Sequence, residues 1–530
     1  MSDRTPGVLR IDPAIHETRS KELNRGDPDP QLGIRETDMT LAPGAIAGEL
    51  KENGIEREDT LLRRNLRFCI TEGLVAMPII FLTLPANFIV SNLLTQTFGL
   101  RVSMFGLIVS LPAWCNVAQM VVIPVCGRYW SQKTITLVFS WFHLAVWIGL
   151  GFALPFIPKG DVVTAGRFFF IIFALSSFSQ AMVGVAWTSW VQEWIPERVR
   201  GKVFGRRNRA LQIATVVFLL LGGRLLTSLQ DTDPVLGFQL VVAVAIFLRM
   251  LSILFQQKIL GSAGYHSEER SINLRSQLRA VRKAPSLLTF IGFGAGFGFA
   301  ANFLGPFFSI FLYEGLGLSI AQVSRFVVTA GITGAASLPA WGQLYDRYGC
   351  RPVMMFVLFP WMLIGSFWAA VGPDNTWVLF IIFGSGGLFG AGFLLGSFNL
   401  LLKLIPREAK TIAISLNVAL ASLAAAIAPI LGGSLLDLAW DLGFDRIRTY
   451  HAAAIVHYSL LLSTVLILAR VVEPKSSSVS QVIGAMRSYR QVGALVGLSF
   501  LLNYTFVKKR RKRRNRSVSS RNPEPTDPAK

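Results

Sequence analysis

Leu221-Gly222-Gly223-Arg224-Leu225-Leu226 returns as Leu431-Gly432-Gly433-Ser434-Leu435-Leu436, at an offset of 210. Ala86-Asn87-Phe88 returns as Ala301-Asn302-Phe303 and Pro124-x-x-Gly127 as Pro339-x-x-Gly342, both at 215. Ile195-Pro196 returns as Ile405-Pro406 at 210. Each match is short, but all keep one order and nearly one offset. The chain reads as two like halves. Two like, very apolar halves are the mark of a membrane transporter built from parallel repeats.

Composition points the same way. Apolar residues make up 52% of the 530 and charged residues 16%, where a soluble domain carries roughly 25% charge. Mean hydropathy is +0.49. The apolar residues fall in blocks of about 20 or more, enough to cross a hydrocarbon core of ~30 Å as helices. The predicted class is an all-α membrane protein with twelve transmembrane helices in two pseudo-symmetric six-helix bundles. The first half places spans near 67–93, 103–126, 134–156, 165–191, 208–229 and 235–257. The second places them near 286–313, 319–343, 352–371, 376–403, 411–437 and 451–472. The domains follow: a hydrophilic tail 1–65, a bundle 66–257, a central loop 258–285, a bundle 286–472 and a tail 473–530. The first tail has no apolar core of the signal-peptide kind. An even number of spans per half makes both copies enter the membrane the same way, so the pseudo-two-fold axis runs along its normal.

The net charge of +21 suggests nucleic acid, but its placement argues against that partner. Arg128 and Lys133, Arg198 to Arg209, Arg270 to Lys283, Arg347 and Arg351, and Lys403 to Lys410 lie in loops on one side. Asp231, Asp233, Glu314, Asp374, Asp441 and Asp445 lie on the other, with Arg446 and Arg448 as exceptions. The positive-inside rule then puts both termini and the central loop in the cytoplasm of a multi-pass cell-membrane protein. Lys508 to Arg516 holds eight basic residues in nine positions, after the short apolar stretch Gln491–Val507. An interfacial helix there, with the basic cluster on anionic lipid, satisfies the charge rule; a thirteenth span would break it. The four cysteines and five scattered histidines show neither metal-ligand spacing nor a disulfide framework, so no cofactor or metal is expected.

Gly342-Gln343-Leu344-Tyr345-Asp346-Arg347-Tyr348-Gly349-Cys350-Arg351 joins spans 8 and 9. It resembles the loop signature G-x-L-x-D-R-x-G-x-R of the major facilitator superfamily, and with the two six-span halves the resemblance covers about residues 60–472. That family moves solutes by alternating access. There the loop is a latch against the opposite half, stabilising the outward-open state. For this chain the resemblance implies a latch of Gly342, Asp346, Arg347, Gly349 and Arg351, with the start of span 5 beside Arg206 and Arg207 as partner. The alternative is a solvated turn. In the first half Ser131 stands where Asp346 stands and Gln132 where Arg347 stands, so a single latch is expected.

Polar residues inside spans are costly and mark solute paths. The family lines its cavity mainly with spans 1, 4, 7 and 10. In span 1, Glu72 and Asn87 are fifteen residues apart and share a face in an unbroken helix. Glu72 is a candidate proton carrier, or it snorkels or pairs with Arg67. The repeat-related Asn87 and Asn302 are candidates to bind solute hydroxyls across the cavity, against a plain helix–helix hydrogen bond. Gln180 and Trp187 offer an amide and an aromatic surface suited to a sugar-like solute. Asn399 is a further candidate in span 10. Arg249 could hold an anionic group, but structural pairing fits it better, as does pairing of Arg325 with Glu314. Glycines crowd spans 7 and 10, and Pro78, Pro85 and Pro306 can kink spans 1 and 7. The expected function is secondary transport of a small organic solute, with protons as a candidate coupling ion and a monomer as the working unit. A non-transporting scaffold of the same fold is the alternative. A membrane enzyme lacks the clustered His or Asp it would need, and no phosphate-binding G-x-x-x-x-G-K-[ST] loop is present.

Overall fold

A computed structural model describes residues 43–195, 197–260, 274–406 and 409–473. The expected interfacial helix, its basic cluster and most of both tails and the central loop lie outside the described residues. The chain divides after Thr60. The first unit is described only from Pro43, where a helix begins. Everything below concerns the unit from Leu61.

Twelve long helical segments follow one another. Spans 1 to 6 are Leu61–Thr97, Val102–Cys126, Gln132–Phe156, Val162–Trp194, Glu197–Leu229 and Pro234–Gln257. A short basic helix, Leu274–Arg282, leads into the second half. Spans 7 to 12 are Pro285–Glu314, Ile320–Tyr348, Cys350–Ala370, Val378–Leu404, Lys410–Asp441 and Arg446–Ala469. Eleven of these helices are long and apolar enough to cross a membrane. Ile320–Tyr348 has the length but carries Gln322, Arg325, Gln343, Asp346 and Arg347. No strand occurs among the described residues. Apolar side chains such as Phe152, Leu466 and Val121 stand about 70% exposed on the outer faces, as expected where lipid is the solvent.

Helix ends follow local chemistry. Asp161, Asp233 and Asp445 accept backbone N–H groups at the starts of spans 4, 6 and 12, and Ser319 forms a capping box with Gln322 at span 8. Span 1 is not continuous. Its regular helix stops at Thr83, and a short helix restarts at Phe88. Pro85 lacks the N–H needed to continue. Asn87 repairs the break: its Oδ1 accepts the Val90 N–H at 2.9 Å, and its Nδ2 donates to the carbonyls of Phe81 and Leu84.

The repeated Leu-Gly-Gly motif sits where the halves meet. A methyl added at Gly223 in span 5 would strike Ser324 in span 8. One at Gly433 in span 11 would lie 2.7 Å from the Val102 carbonyl of span 2, and one at Gly432 would strike the Phe303 carbonyl of span 7. Spans 5 and 8 therefore cross as spans 11 and 2 do, which is the pairing a two-fold repeat requires.

Candidate functional site

The break in span 1 is the hub of three adjoining cavities. The first, about 390 Å³, is lined by Phe81, Ala86, Asn87 and Phe88 of span 1 and by spans 7, 8, 9, 10 and 12. The second, about 310 Å³, lies within the first half between spans 1, 2 and 4. The third, about 380 Å³, lies between Leu84, Pro85 and Ala86 on one side and Gly298, Asn302 and Ala421 on the other. The first and third share Ala86, and the second and third share Leu84, Pro112 and Asn116.

Three residues singled out from the sequence border this space. Asn87 lines the first cavity, Gln180 the second and Asn302 the third. Asn87 spends its amide on the span 1 break, and Asn302 gives its Nδ2 to the Gly298 carbonyl at 2.8 Å. Gln180 Oε1 is buried without a partner. The other four do not line it. Asn399 is half-buried in span 10 and borders none of the three. Glu72, Trp187 and Arg249 belong to a separate buried network inside the first half.

That network answers the pairing questions the sequence left open. Glu72 pairs with Arg207 of span 5 at 3.3 Å, not with Arg67, and its other oxygen accepts from Gln256 Nε2 at 3.0 Å. It does not snorkel, because both partners hold it 2% exposed. The Arg207 guanidinium lies 4.2 Å from the Trp187 ring centroid. Arg249 is 1% exposed and donates to Ser140 at 3.0 Å and Ser252 at 3.5 Å. Ser140 in turn reaches Gln256 at 3.3 Å. Spans 1, 3, 4, 5 and 6 are thus tied through one chain of polar contacts whose members line none of the three cavities. Glu314 likewise pairs with Arg446, at 2.9 Å, and Arg325 is exposed. Arg446, an exception to the loop charge pattern, is the partner of an acidic residue on its own side.

Several wall residues escaped the sequence reading. Asn116 and Gln119 of span 2 and Thr83 and Ser177 line the second cavity. Thr83 Oγ1 lies 3.0 Å from His143 Nε2, which also receives Trp147 Nε1 at 3.1 Å. Trp147 Nε1 also donates to Ser176 Oγ at 2.9 Å, and Thr83 Oγ1 donates to the Ile79 carbonyl at 2.8 Å. Phe308, Trp361, Trp368, His457 and Tyr458 line the first cavity. Asn116 and Gln119 were findable as a polar pair three apart in an apolar span. The aromatic residues carry no such signal, because aromatics are equally common in plain packing.

The halves are joined at the end opposite the basic loops. There Arg101 donates to Asp441 at 2.7 Å and lies 3.6 Å from Asp437, whose Oδ2 also accepts the Ser103 N–H at 2.9 Å. The pairing raises the pKa of Arg101, through its hydrogen bond to Asp441 first of all. Gln96 meets Glu314, Tyr313 donates to the Phe88 carbonyl, and the Ala321 N–H reaches Thr227. At the basic end, Asp346 and Arg347 are exposed, and Arg347 lies over the Tyr348 ring at 5.2 Å. A methyl at Gly342 would meet nothing within 4 Å, so in this conformation no neighbour requires a glycine there. Gly349 has φ of 91°, a conformation that favours glycine. Arg351 is held within its own half by the Ala469 carbonyl and, through its N–H, by Glu473 at 2.7 Å. Arg207, one expected latch neighbour, is engaged with Glu72; the Arg206 side chain lies outside the described residues.

Two six-span halves about a central cavity, with lipid-facing apolar surfaces, define a multi-pass membrane transporter. The family model of the Major Facilitator Superfamily matches residues 74–308 and 290–514. The chain belongs to that superfamily, as the loop between spans 8 and 9 implied, and is a transporter rather than an enzyme. It is 26% identical over 127 residues to the uncharacterized MFS-type transporter YqjV of Bacillus subtilis (strain 168), a match spanning 24% of this chain and 30% of that protein. Among solved structures it resembles a D-xylose-proton symporter (TM-score 0.58, 14% identity, 79% of this chain and 99% of that one). It also resembles a mutant of the nucleoside transporter NupG (TM-score 0.59, 13% identity, 78% and 100%). At these identities the likeness is one of fold.

Proposed function

We propose that this protein is a secondary transporter of a small, uncharged, polar organic solute, working by alternating access through the cavity around the span 1 break. One observation carries the reading. Among the described residues lining the three cavities, none is Asp, Glu, Lys or Arg. An ionised solute would lose its hydration there and find no counter-charge, at a cost far above that of a neutral one. The amide of Gln180, the hydroxyl of Ser177 and the edge of Asn116 offer a neutral solute hydrogen bonds instead.

In this reading the conformation with the halves joined at Arg101, Asp437 and Asp441 is inward-open, with the basic loops and termini in the cytoplasm by the charge rule. Asp346 and Arg347 then wait for a partner that arrives only when the cytoplasmic end closes. We assign Glu72 a role in holding the first half together, since its charge is spent on Arg207 and Gln256.

The test is flux into vesicles containing the purified chain. A labelled neutral hexose or pentitol should enter saturably, and Gln180→Ala should reduce kcat/KM about tenfold. Saturable flux of charged solutes alone would overturn the substrate class. No saturable flux of any solute would favour a non-transporting scaffold.

A further inference from the structure

The central space is chemically divided. Its lobe in the second half is rich in rings, beside the polar Asn87, Ser309 and His457. Phe308 stacks on Trp368 with centroids 5.0 Å apart and planes at 13°, and Tyr458 lies near-parallel to the same Phe308 ring at 6.4 Å and 16°. Trp361 and Phe383 line the same lobe. The lobe in the first half has no aromatic residue in its lining and carries amides and hydroxyls, two of whose polar atoms are unmet: Gln180 Oε1 and Ser177 Oγ are buried without partners. Ser177 is only 3% exposed. A buried, unpaired hydroxyl costs free energy unless something fills its hydrogen bond. The third cavity shares lining residues with each lobe, which sets all three side by side around the span 1 break.

We propose that the solute is a two-part molecule: a flat aromatic or fused-ring portion joined to an uncharged, hydroxylated head, chemically of the aryl-glycoside kind. The ring lies in the second-half lobe, where its faces replace water against Phe308, Trp361 and Trp368. The head lies in the first-half lobe, where its hydroxyls meet Ser177 and Gln180. A plain sugar would satisfy the polar lobe and leave the ring-lined lobe wet. A plain aromatic would leave Ser177 and Gln180 unpaired, the kind of loss by which polar sites reject analogues lacking a hydroxyl. A molecule gripped at both ends also touches both halves, so its binding depends on how the halves are placed. This inference rests on the reading of the cavity as the solute site.

Isothermal titration of the purified full chain in detergent tests it with three probes: 4-methylumbelliferyl β-glucoside, methyl β-glucoside and 4-methylcoumarin. The joined molecule should bind at least about tenfold tighter than either part. Trp368→Ala should remove most of that preference over methyl β-glucoside, and Trp368→Phe should restore it. Ser177→Ala should weaken both glucosides and leave 4-methylcoumarin unaffected. Equal affinity for the two glucosides, an unchanged preference in a folded Trp368→Ala protein, or binding of none of the three would overturn the proposal. Saturable flux of a ring-free hexose without preference for the aryl glucoside would retain the transporter reading and discard this one; absence of any saturable flux discards both.

Discussion

Glu72 shows how one carboxylate can be read two ways from sequence and one way from its surroundings. In a hydropathy profile it is a lone acid inside a span, which is what a proton carrier looks like. In the fold it sits between Arg207 and Gln256 at 2% exposure, with a second buried guanidinium, Arg249, on the same polar chain. Removing one member of such a pair leaves the other charge buried and uncompensated, a loss of about 3–5 kcal/mol. Glu72→Gln should therefore lower the unfolding midpoint of the solubilised protein sharply. A variant that melts like the parent but transports without response to a proton gradient would return Glu72 to the role of carrier. Sequence could not make this choice because the decisive partner, Arg207, is 135 residues away and lies in a basic segment at the start of span 5 whose cations all look alike in sequence.

At the level of elements, most span ends were legible. Span 2 was expected at 103–126 and runs Val102–Cys126; apolar blocks bounded by polar loops leave little freedom. Span 5 was expected from 208 and begins at Glu197, because helix continues through a basic segment that hydropathy scores as loop. The break in span 1 was legible only as a kink from Pro85, since hydropathy is blind to the backbone repair that Asn87 performs. Glu473, the first residue of the expected tail, belongs to the second bundle. It accepts the N–H groups of Cys350 and Arg351 at the start of span 9 and the ammonium of Lys403 at 2.9 Å. Burial pushes its carboxyl pKa up, but those three donors outweigh burial and hold it below the usual value. A lowered folded pKa gives stability that is complete above the unfolded value of about 4.3 and is lost as pH falls through the folded one. Thermal unfolding should lose part of its midpoint below about pH 4, and Glu473→Gln should remove that part of the dependence. An acid slope unchanged by the substitution would mean the three contacts contribute no net stability.

For the molecule as a whole, the sequence repeat located the halves, and its glycines mark their crossings, but its mismatches decide the asymmetry. The Asp346 loop has no acidic counterpart at Ser131, and in the present conformation Asp346 is exposed. A latch formed only in the opposite conformation should be silent here. Asp346→Asn should leave thermal stability within about 0.5 kcal/mol while slowing flux in vesicles. Parental flux in that variant would reduce the loop to a solvated turn. The sequence indicated this loop by family resemblance and could not indicate the solute, because the aromatic and amide walls are assembled from six or more spans.

The uncharged lining of the cavity has an electrical consequence. A membrane potential does about 2.3 kcal/mol of work per elementary charge per 100 mV, and it can do so only on charge that moves. A neutral solute carried between neutral walls presents none. The loaded protein should therefore reorient without regard to voltage, and a potassium diffusion potential across the vesicles should leave flux unchanged. Voltage-driven flux would require a charge that travels with the cycle, and in the described cavity lining only His457 could bear one, by taking up a proton.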